Sequence, residues 1–598
     1  MNILGVKVTG HDTGAALISG QRVVALAEER LNRIKHSSNM FPRLSIDYCL
    51  NHFGLKPADI DMVLMDQTNL RSKTRPLEIF NRETNGVFSR AKTHVINHHD
   101  AHAASAFFCS PFGEAATLVY DGTGEKFATH LGVYATETDT LYSGRNSRLY
   151  EIRKNLHLRE DRFFPYTFGI GKLYSLITDY CNLGLLNEGK LMGLASYGND
   201  SVLRAHPYDE WCREYNNHVL CNSNISYPAA PISQRIRDLK NMRPRIRHRL
   251  AIFLRPVVRF MQKHLTRDGT FEVAIFPEIK LEKPKRRDEK LPDIYYSSIA
   301  YAAQKIFERV AILFGNQLKN ITGSQNLCVA GGCGLNIDAN MNFLDEVGFK
   351  NIFVQPASSD TGIPLGLALY GCHVIAGQPR FYEMKSASLG RSYSEAEILT
   401  ALKEKTGQLV YFKSSNIAAE VAGLIAGGKI IGWFYGGAEY GPRALGHRSI
   451  LCDARQSDMR DVLNLKVKHR EPWRPFAASV LEEKVGDFFE FNGKSPFMML
   501  AANVKKDKQG KIPSVTHVDG TCRIQTLTSA INGRYYDLVK NFYGLTQVPL
   551  ILNTSFNLGG EPIVETPEDA VRTFLATKMD YLVLENYLIK KSAAPETP

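Results

Sequence analysis

His98 and His102 stand four residues apart in His98-His-Asp-Ala-His102, just ahead of the helix-favouring run Ala103-Ala-Ser-Ala. On a helix, positions i and i+4 share a face, so the two imidazoles are presented together, as one metal ion would need. Alone, His-x-x-x-His more often marks packed or surface histidines. Two carboxylates add to this pair. Asp121 closes the apolar run Thr117-Leu-Val-Tyr, and Asp360 sits in Pro356-Ala-Ser-Ser-Asp360-Thr-Gly362, a loop ahead of a helix. Two imidazoles and two carboxylates make a harder site than zinc–thiolate, with positions left open, and suit Fe(II) or Mn(II). Either aspartate would serve equally as a helix cap or turn residue.

A second chemistry is anion binding. Gly331, Gly332 and Gly334 permit close backbone approach, and amides at the helix start that follows suit a phosphate; tight helix packing explains the same glycines equally well. Gly189-Lys190-Leu-Met-Gly193 is another glycine–lysine turn, without the spacing of a P-loop. Farther on, cations gather among glycines and prolines in Tyr440-Gly-Pro-Arg443-Ala-Leu-Gly-His447-Arg448, Lys466-Val-Lys468-His-Arg470-Glu-Pro-Trp-Arg474 and His517-Val-Asp-Gly-Thr-Cys-Arg523. Ser555 and Asn557 in Asn553-Thr-Ser-Phe-Asn557 add neutral donors at a strand end. Guanidinium forks bind phosphates and small carboxylates and offset charge on a leaving phosphate. Trp433, Phe434, Trp473 and Phe476 lie too close to these cations for a solvated face, which favours a buried anion site.

These groups need strands that run into glycine turns. Residues 3–8, 15–18 and 23–27 read as strands, as do the run ending at Asp121 and residues 327–330, which open into a helix expected over 335–342. The pattern predicts an α/β core of two lobes holding a nucleotide between them. The polar stretch 385–393, followed by the helix start Ser394-Glu-Ala-Glu, marks the main boundary and gives domains 1–385 and 386–598. Residues 429–434 and 550–552 read as later strands, and the last helix falls near 567–575. No internal repeat is visible.

The 598 residues, 44% hydrophobic and 22% charged, exclude a disordered or collagen-like chain. Of the net charge of +12, residues 235–290 carry +10, with 17 Lys/Arg against 7 Asp/Glu. The charge therefore belongs to a basic insertion at about 200–295 rather than to the protein as a whole. Its densest part, 235–249, reads as a solvated helix with Leu239, Met242, Ile246 and Leu250 in one stripe. No aromatic residue interleaves to stack a base, so a nucleic-acid partner is not expected. A self-pairing surface on the insertion would make a homodimer. Ten cysteines, none spaced Cys-x-x-Cys, read as reduced thiols. Met1-Asn2-Ile3-Leu4-Gly5 has no signal-peptide pattern and no apolar run approaches membrane-helix length, so a cytoplasmic protein without membrane attachment is expected.

In their order along the chain these motifs resemble the O-carbamoyltransferases that act on nodulation factors, cephamycins and tobramycin. The resemblance rests on His11-Asp12, Arg33-Ile-Lys35-His36, His98-His-x-x-His102, Asp121-Gly-x-Gly, Gly189-Lys-Leu-Met-Gly193, Gly331-Gly-x-x-Leu-Asn336 and Pro356-Ala-x-x-Asp360. It continues through Gly441-Pro-Arg-Ala-Leu-Gly446, Arg474-Pro-Phe-Ala477, His517-x-Asp-Gly-Thr-x-Arg523 and Asn553-x-Ser-Phe-Asn557. It implies an N-terminal actin-like domain similar to the tRNA-modification protein Kae and a C-terminal domain of the YrdC type. The latter would make carbamoyl adenylate from carbamoyl phosphate and Mg²⁺-ATP, and the former would pass the carbamoyl group to a hydroxyl. By motif, His98, His102, Asp121 and Asp360 would ligate iron. His11, Lys35 and Asn336 would hold carbamoyl adenylate; the acceptor hydroxyl also requires a general base, and His11 is the candidate on chemical grounds. Arg443, Lys468, Arg470, Arg523, Ser555 and Asn557 would bind ATP and carbamoyl phosphate. The acceptor, a sugar, macrolactam or saxitoxin-type alkaloid, is not legible. The alternative is a threonylcarbamoyl-adenosine tRNA-modification enzyme with the same two folds. Hydrogenase maturation proteins also share them, but carry Cys-x-x-Cys zinc fingers that this chain lacks.

Overall fold

The computed structural model describes residues 1–67, 74–128, 134–158, 169–215, 218–227, 276–287 and 292–592. The basic stretch 235–249, with its stripe, lies outside the described residues, as do the last six of the chain.

From Ile3 onward the strand Asn2–Lys7 is buried on both faces, as befits an almost continuous apolar run. It is the middle of a five-stranded sheet in the spatial order Arg22–Ala27, Gly14–Ser19, Asn2–Lys7, Met62–Gln67, Lys92–Asn97. The first three strands pair antiparallel and the last two join in parallel. A second sheet repeats the plan. Arg148–Leu158, Tyr134–Arg145 and Glu114–Tyr120 pair antiparallel, and Asn326–Ala330 and Asn351–Val354 follow in parallel; the short strand Lys126–Ala128 extends it. Two such sheets in succession are the lobes of an actin-like domain. The duplication escaped the sequence reading because it lies in the pairing pattern and not in the residues.

The helix His98–Phe107 follows the fifth strand without a loop, and the Asn97 side chain caps it by accepting the amides of His99 and Asp100. Helix Ile363–Tyr370 packs against it so tightly that a Cβ on Gly366 would lie 1.9 Å from Ala101 O. The helix expected from residue 335 begins instead at Ile337: Gly332–Leu335 forms a 3₁₀ turn and Asn336 becomes the cap.

Residues 409–591 build one nine-stranded mixed sheet, from Leu409–Lys413 at one edge to Leu500–Asn503 at the other. Its core includes Ile425, Trp433, Leu451, Val480, Phe542, Leu552 and Phe574. Tyr440, Leu445, Trp473 and Met498 join the core of the preceding lobes instead, so apolar packing crosses between the two parts of the chain.

Candidate active site

His98 and His102 lie on the inward face of their helix, both fully buried, as the i, i+4 spacing requires. Asp121 follows the first strand of the second lobe, and Asp360 opens the turn before helix Ile363–Tyr370. One ligand atom from each of the four falls within 4.8 Å of the others. His98 Nε2 is 3.6 Å from Asp121 Oδ2 and 3.5 Å from Asp360 Oδ1, and His102 Nε2 is 3.6 Å from the same Asp360 oxygen. These spacings are too long for hydrogen bonds.

The surrounding residues fix this arrangement. His98 Nδ1 lies 2.9 Å from Asp66 Oδ2, which must accept its proton and so turns the Nε2 lone pair inward. Gly332 N–H donates to Asp121 Oδ1 at 2.9 Å. Gly331 takes φ +91°, and a Cβ there would lie 2.2 Å from Tyr120 O. The Gly331–Gly332 turn thus serves an aspartate; the Gly332 amide is not turned to a phosphate. Lys7, fully buried, reaches Asp360 Oδ2 at 3.0 Å and Asp66 Oδ2 at 3.3 Å. Burial disfavours its charge, but Asp360 and Asp66 outweigh that and raise its pKa. Burial likewise opposes ionisation of Asp360, yet Lys7, His11 and His98 hold its carboxyl well below the usual range.

The cluster fits a divalent cation. Both ring nitrogens of His102 are buried with no hydrogen-bond partner among the described residues. Against burial, Asp360, Asp121 and Asp66 raise the His98 pKa, so the cluster without a cation holds a proton there. With that proton displaced by a cation, three carboxylates and one ammonium leave an excess of two negative charges for it to offset. The two-nitrogen, two-oxygen donor set suits Fe(II) or Mn(II). A second group, Asp12, Glu29 and His36, also falls within 4.8 Å; there His36 Nδ1 lies 2.7 Å from Asp12 and Glu29 accepts the His36 amide, while His36 Nε2 is buried without a hydrogen-bond partner among the described residues.

His11 borders the cluster, Nε2 3.8 Å from Asp360 Oδ2 and Nδ1 3.3 Å from Asp12 Oδ2. Asp360 chiefly, against burial and with help from Asp12, raises His11 to about 9. Asp12, Arg33 and His36 all take positive φ (54°, 62° and 64°), so the loop carrying Lys35 is held in a strained form. Burial lowers the Lys35 pKa, Glu29 opposes, and Arg474 and Lys190 lower it further, so Lys35 faces cations from both parts of the chain. Asn336 is locked in a reciprocal amide pair with Gln304, at 3.0 and 3.1 Å, and Tyr174 OH donates to Gln304 Oε1 at 2.7 Å.

In the C-terminal part, Lys468, at the end of the helical turn Leu463–Lys468, meets Ser555 and Asn557 at the end of strand Leu550–Ser555, while Arg470 Nε donates to Asn464 Oδ1 at 2.7 Å. Lys468 Nζ donates to Asn557 Oδ1 at 2.7 Å and to Ser555 Oγ at 3.2 Å, and also to the Ser555 carbonyl. Burial, then Arg470 and Arg474, push the Lys468 pKa far down. Burial, then Arg523 and Arg474, do the same to Arg443. Burial brings Arg523 down to about 10; Cys522 opposes and Arg474 contributes. Nε of Arg443 and of Arg523 has no hydrogen-bond partner among the described residues. Cations that repel one another in a buried cleft leave room for a polyanion. The cleft adjoins the first domain: Arg443 Nη2 donates to Leu335 O at 3.2 Å, next to Asn336, and Lys190 pairs with Glu471 at 2.8 Å.

Three supporting residues were missed from sequence. Lys7 was a lone charge in an apolar strand, and Asp66 ended the apolar run Met62-Val-Leu-Met, the same signature as Asp121; both signals were there to read. Gln304 sits within the 29-residue helix Ile294–Thr322 and gave none.

An acidic pocket in a duplicated α/β domain thus stands beside a guanidinium cleft in the part of the chain that follows. The chain belongs to the carbamoyltransferase family. The model of the carbamoyltransferase N-terminus matches residues 2–82, 85–206 and 254–369, and that of the C-terminus matches 422–591. An uncharacterized protein of Synechocystis sp., sll1178, is 34% identical over 660 residues, covering 100% of this chain and 97% of its own. Nodulation protein NolNO of Sinorhizobium fredii is 32% identical over 612 residues, covering 98% and 80%. Nodulation protein NolO of Bradyrhizobium diazoefficiens is 31% identical over 503 residues, covering 83% and 79%. The protein is therefore a carbamoyltransferase. Among the described residues no helix is long and apolar enough to cross a membrane.

Proposed function

We propose that this carbamoyltransferase is ATP-dependent and carbamoylates a hydroxyl of a small-molecule natural product. It divides the work between residues 1–385 and 386–598. In the second part, Arg443, Lys468, Arg470 and Arg523, with Ser555 and Asn557, hold Mg²⁺-ATP and carbamoyl phosphate and offset their charge while carbamoyl adenylate forms. In the first part, His98, His102, Asp121 and Asp360 would hold Fe(II) or Mn(II). When bound, such an ion polarises the carbamoyl carbonyl as a Lewis acid.

Lys35 and Asn336 orient the adenylate. The acceptor oxygen attacks the carbamoyl carbon, AMP departs with the bonding electrons, and the hydroxyl proton passes to His11 Nε2. Asp12 on Nδ1 keeps that nitrogen as the acceptor. Asp360 is the largest cause of the raised His11 pKa, and a cation shared with Asp360 offsets it. The observation that carries this reading is the Arg443 contact to Leu335, which sets the anion cleft beside Asn336. Relatives named as nodulation proteins are consistent with a hydroxylated acceptor such as a sugar.

The test needs no acceptor. Incubate the protein with Mg²⁺-ATP and carbamoyl phosphate, and separately with ATP, bicarbonate and threonine, and follow adenylates by mass spectrometry. Carbamoyl adenylate in the first mixture alone is the expected result. Threonylcarbamoyl adenylate in the second would overturn it in favour of tRNA modification.

A further inference from the structure

The strand Cys212–Tyr215 pairs antiparallel with His218–Cys221 as a two-stranded sheet apart from the three larger ones, with Cys212 directly opposite Cys221. Residues so opposed have Cα atoms about 4.5 to 5.5 Å apart. That lies inside the window of about 4.4 to 6.8 Å that a disulfide spans. The side chains take up the opportunity: the two Sγ atoms are in contact at 2.7 Å, and both residues are fully buried. The base of the hairpin is closed by Asn222 N–H donating to Trp211 O and by the Asn222 amide donating to the carbonyls of Glu210 and Pro277.

We propose that Cys212 and Cys221 are a modification site: a cross-strand dithiol that closes reversibly to a disulfide by exchange with a low-molecular-weight disulfide. One cysteine thiolate attacks a sulfur of the small disulfide and expels one small thiolate. The second cysteine thiolate then attacks the protein-bound sulfur and expels the other. Two cysteine thiols are oxidised, one disulfide is reduced to two thiols, and the two protons lost by the cysteines end on the released thiolates.

Burial first, then the Cys212 thiol and Asp139, raise the Cys221 thiol, so the closed hairpin protects the pair. Exchange requires the hairpin to open; bonded to no larger sheet, it can do so as one unit, by drawing Cys212, Val219 and Cys221 out of the core they share with the N-terminal lobes. Other buried cysteines, such as Cys49 and Cys452, lie in other core clusters and are not set opposite a second cysteine across a strand pair. The proposal does not depend on the acceptor, the metal or the adenylate.

The test uses the full chain, reduced and freed of thiols, then equilibrated with oxidised glutathione at several ratios to reduced glutathione. The protein is denatured, alkylated, digested and mapped by mass spectrometry. The expected result is joint loss of alkylation at Cys212 and Cys221, recovery of one cross-linked peptide pair, and reversal by dithiothreitol. Both sites still fully alkylated at the most oxidising ratio would overturn the proposal. So would a glutathione adduct that never resolves to the cross-link. Cys221→Ala is expected to give no cross-linked peptide and at most a glutathione adduct at Cys212. Should that variant not fold, the wild-type map alone decides.

Discussion

The two centres are overcharged in opposite senses. Around the histidine pair, Asp66, Asp121 and Asp360 face a single ammonium, Lys7. In the second domain Arg443 and Arg523 have no carboxylate at ion-pair distance among the described residues, and Arg474 adds to the charge around them. The difference lies in what holds each excess in place. The acidic centre is fully buried and braced by its own partners, including the Asp66 contact to His98 and the Gly332 amide on Asp121. The basic centre is braced mostly by neutral carbonyls and amides, such as those of Ser555, Asn557 and Leu335. A braced acidic pocket suits an ion that stays; a cleft of mutually repelling cations suits anions that come and go.

The largest expected effects would separate the two. Asp360→Asn should cost carbamoyl transfer at least about 100-fold while adenylate formation is kept. Arg443→Ala should do the reverse, losing adenylate formation about 100-fold with bound metal unchanged. Stripping the metal with a chelator that is removed before Mg²⁺-ATP is added should mimic the first variant and not the second. Adenylate measured by mass spectrometry and metal counted per chain check all three, and equal losses of both steps in each variant would break the comparison.

Next in size is Lys7→Met. Removing one partner of a fully buried charge network costs on the order of 3–5 kcal/mol. The loss should appear in denaturant unfolding of metal-free protein and shrink when Mn²⁺ is saturating. An unchanged metal-free stability would mean that Lys7 does not balance the acidic centre.

The smallest effect concerns Asp139, whose carboxyl burial, opposed by Thr138 and reinforced by Asp121, raises to about 7. Between about pH 4 and 7 the unfolded chain ionises this group while the folded chain keeps its proton, so folding stability falls as pH rises. Above 7 the full penalty applies, and below 4 there is none. Asp139→Asn should therefore stabilise by on the order of 1–3 kcal/mol at pH 8 and by little at pH 4. Thermal melts at the two pH values check it, and a gap that widens toward acid would reverse the sign.

What could be read from sequence follows from range. The imidazole pair was legible because four-residue spacing is a local rule of helices, and the aspartates because strand ends show as apolar runs that stop. The pairing of Lys7 with Asp66 was not, since 59 residues separate them and only sheet register unites them. The Gln304–Asn336 amide pair was hidden for the same reason. The glycines at 331 and 332 carried a signal open to two readings, and only the position of Asp121 shows what the Gly332 amide does. Two lobes were predicted from strand-to-glycine junctions and their actin-like form from the family resemblance, while their duplication was invisible in the residues.

The four donors straddle the seam of that duplication. His98 and His102 ride on the helix that leaves the last strand of the first sheet, and Asp121 follows the first strand of the second. An ion gripped by both would be a rivet between two plates. Each tenfold rise in free metal above the dissociation constant would then add about 1.4 kcal/mol to the arrangement in which the four donors meet, and prying the plates apart would weaken the grip by the same measure.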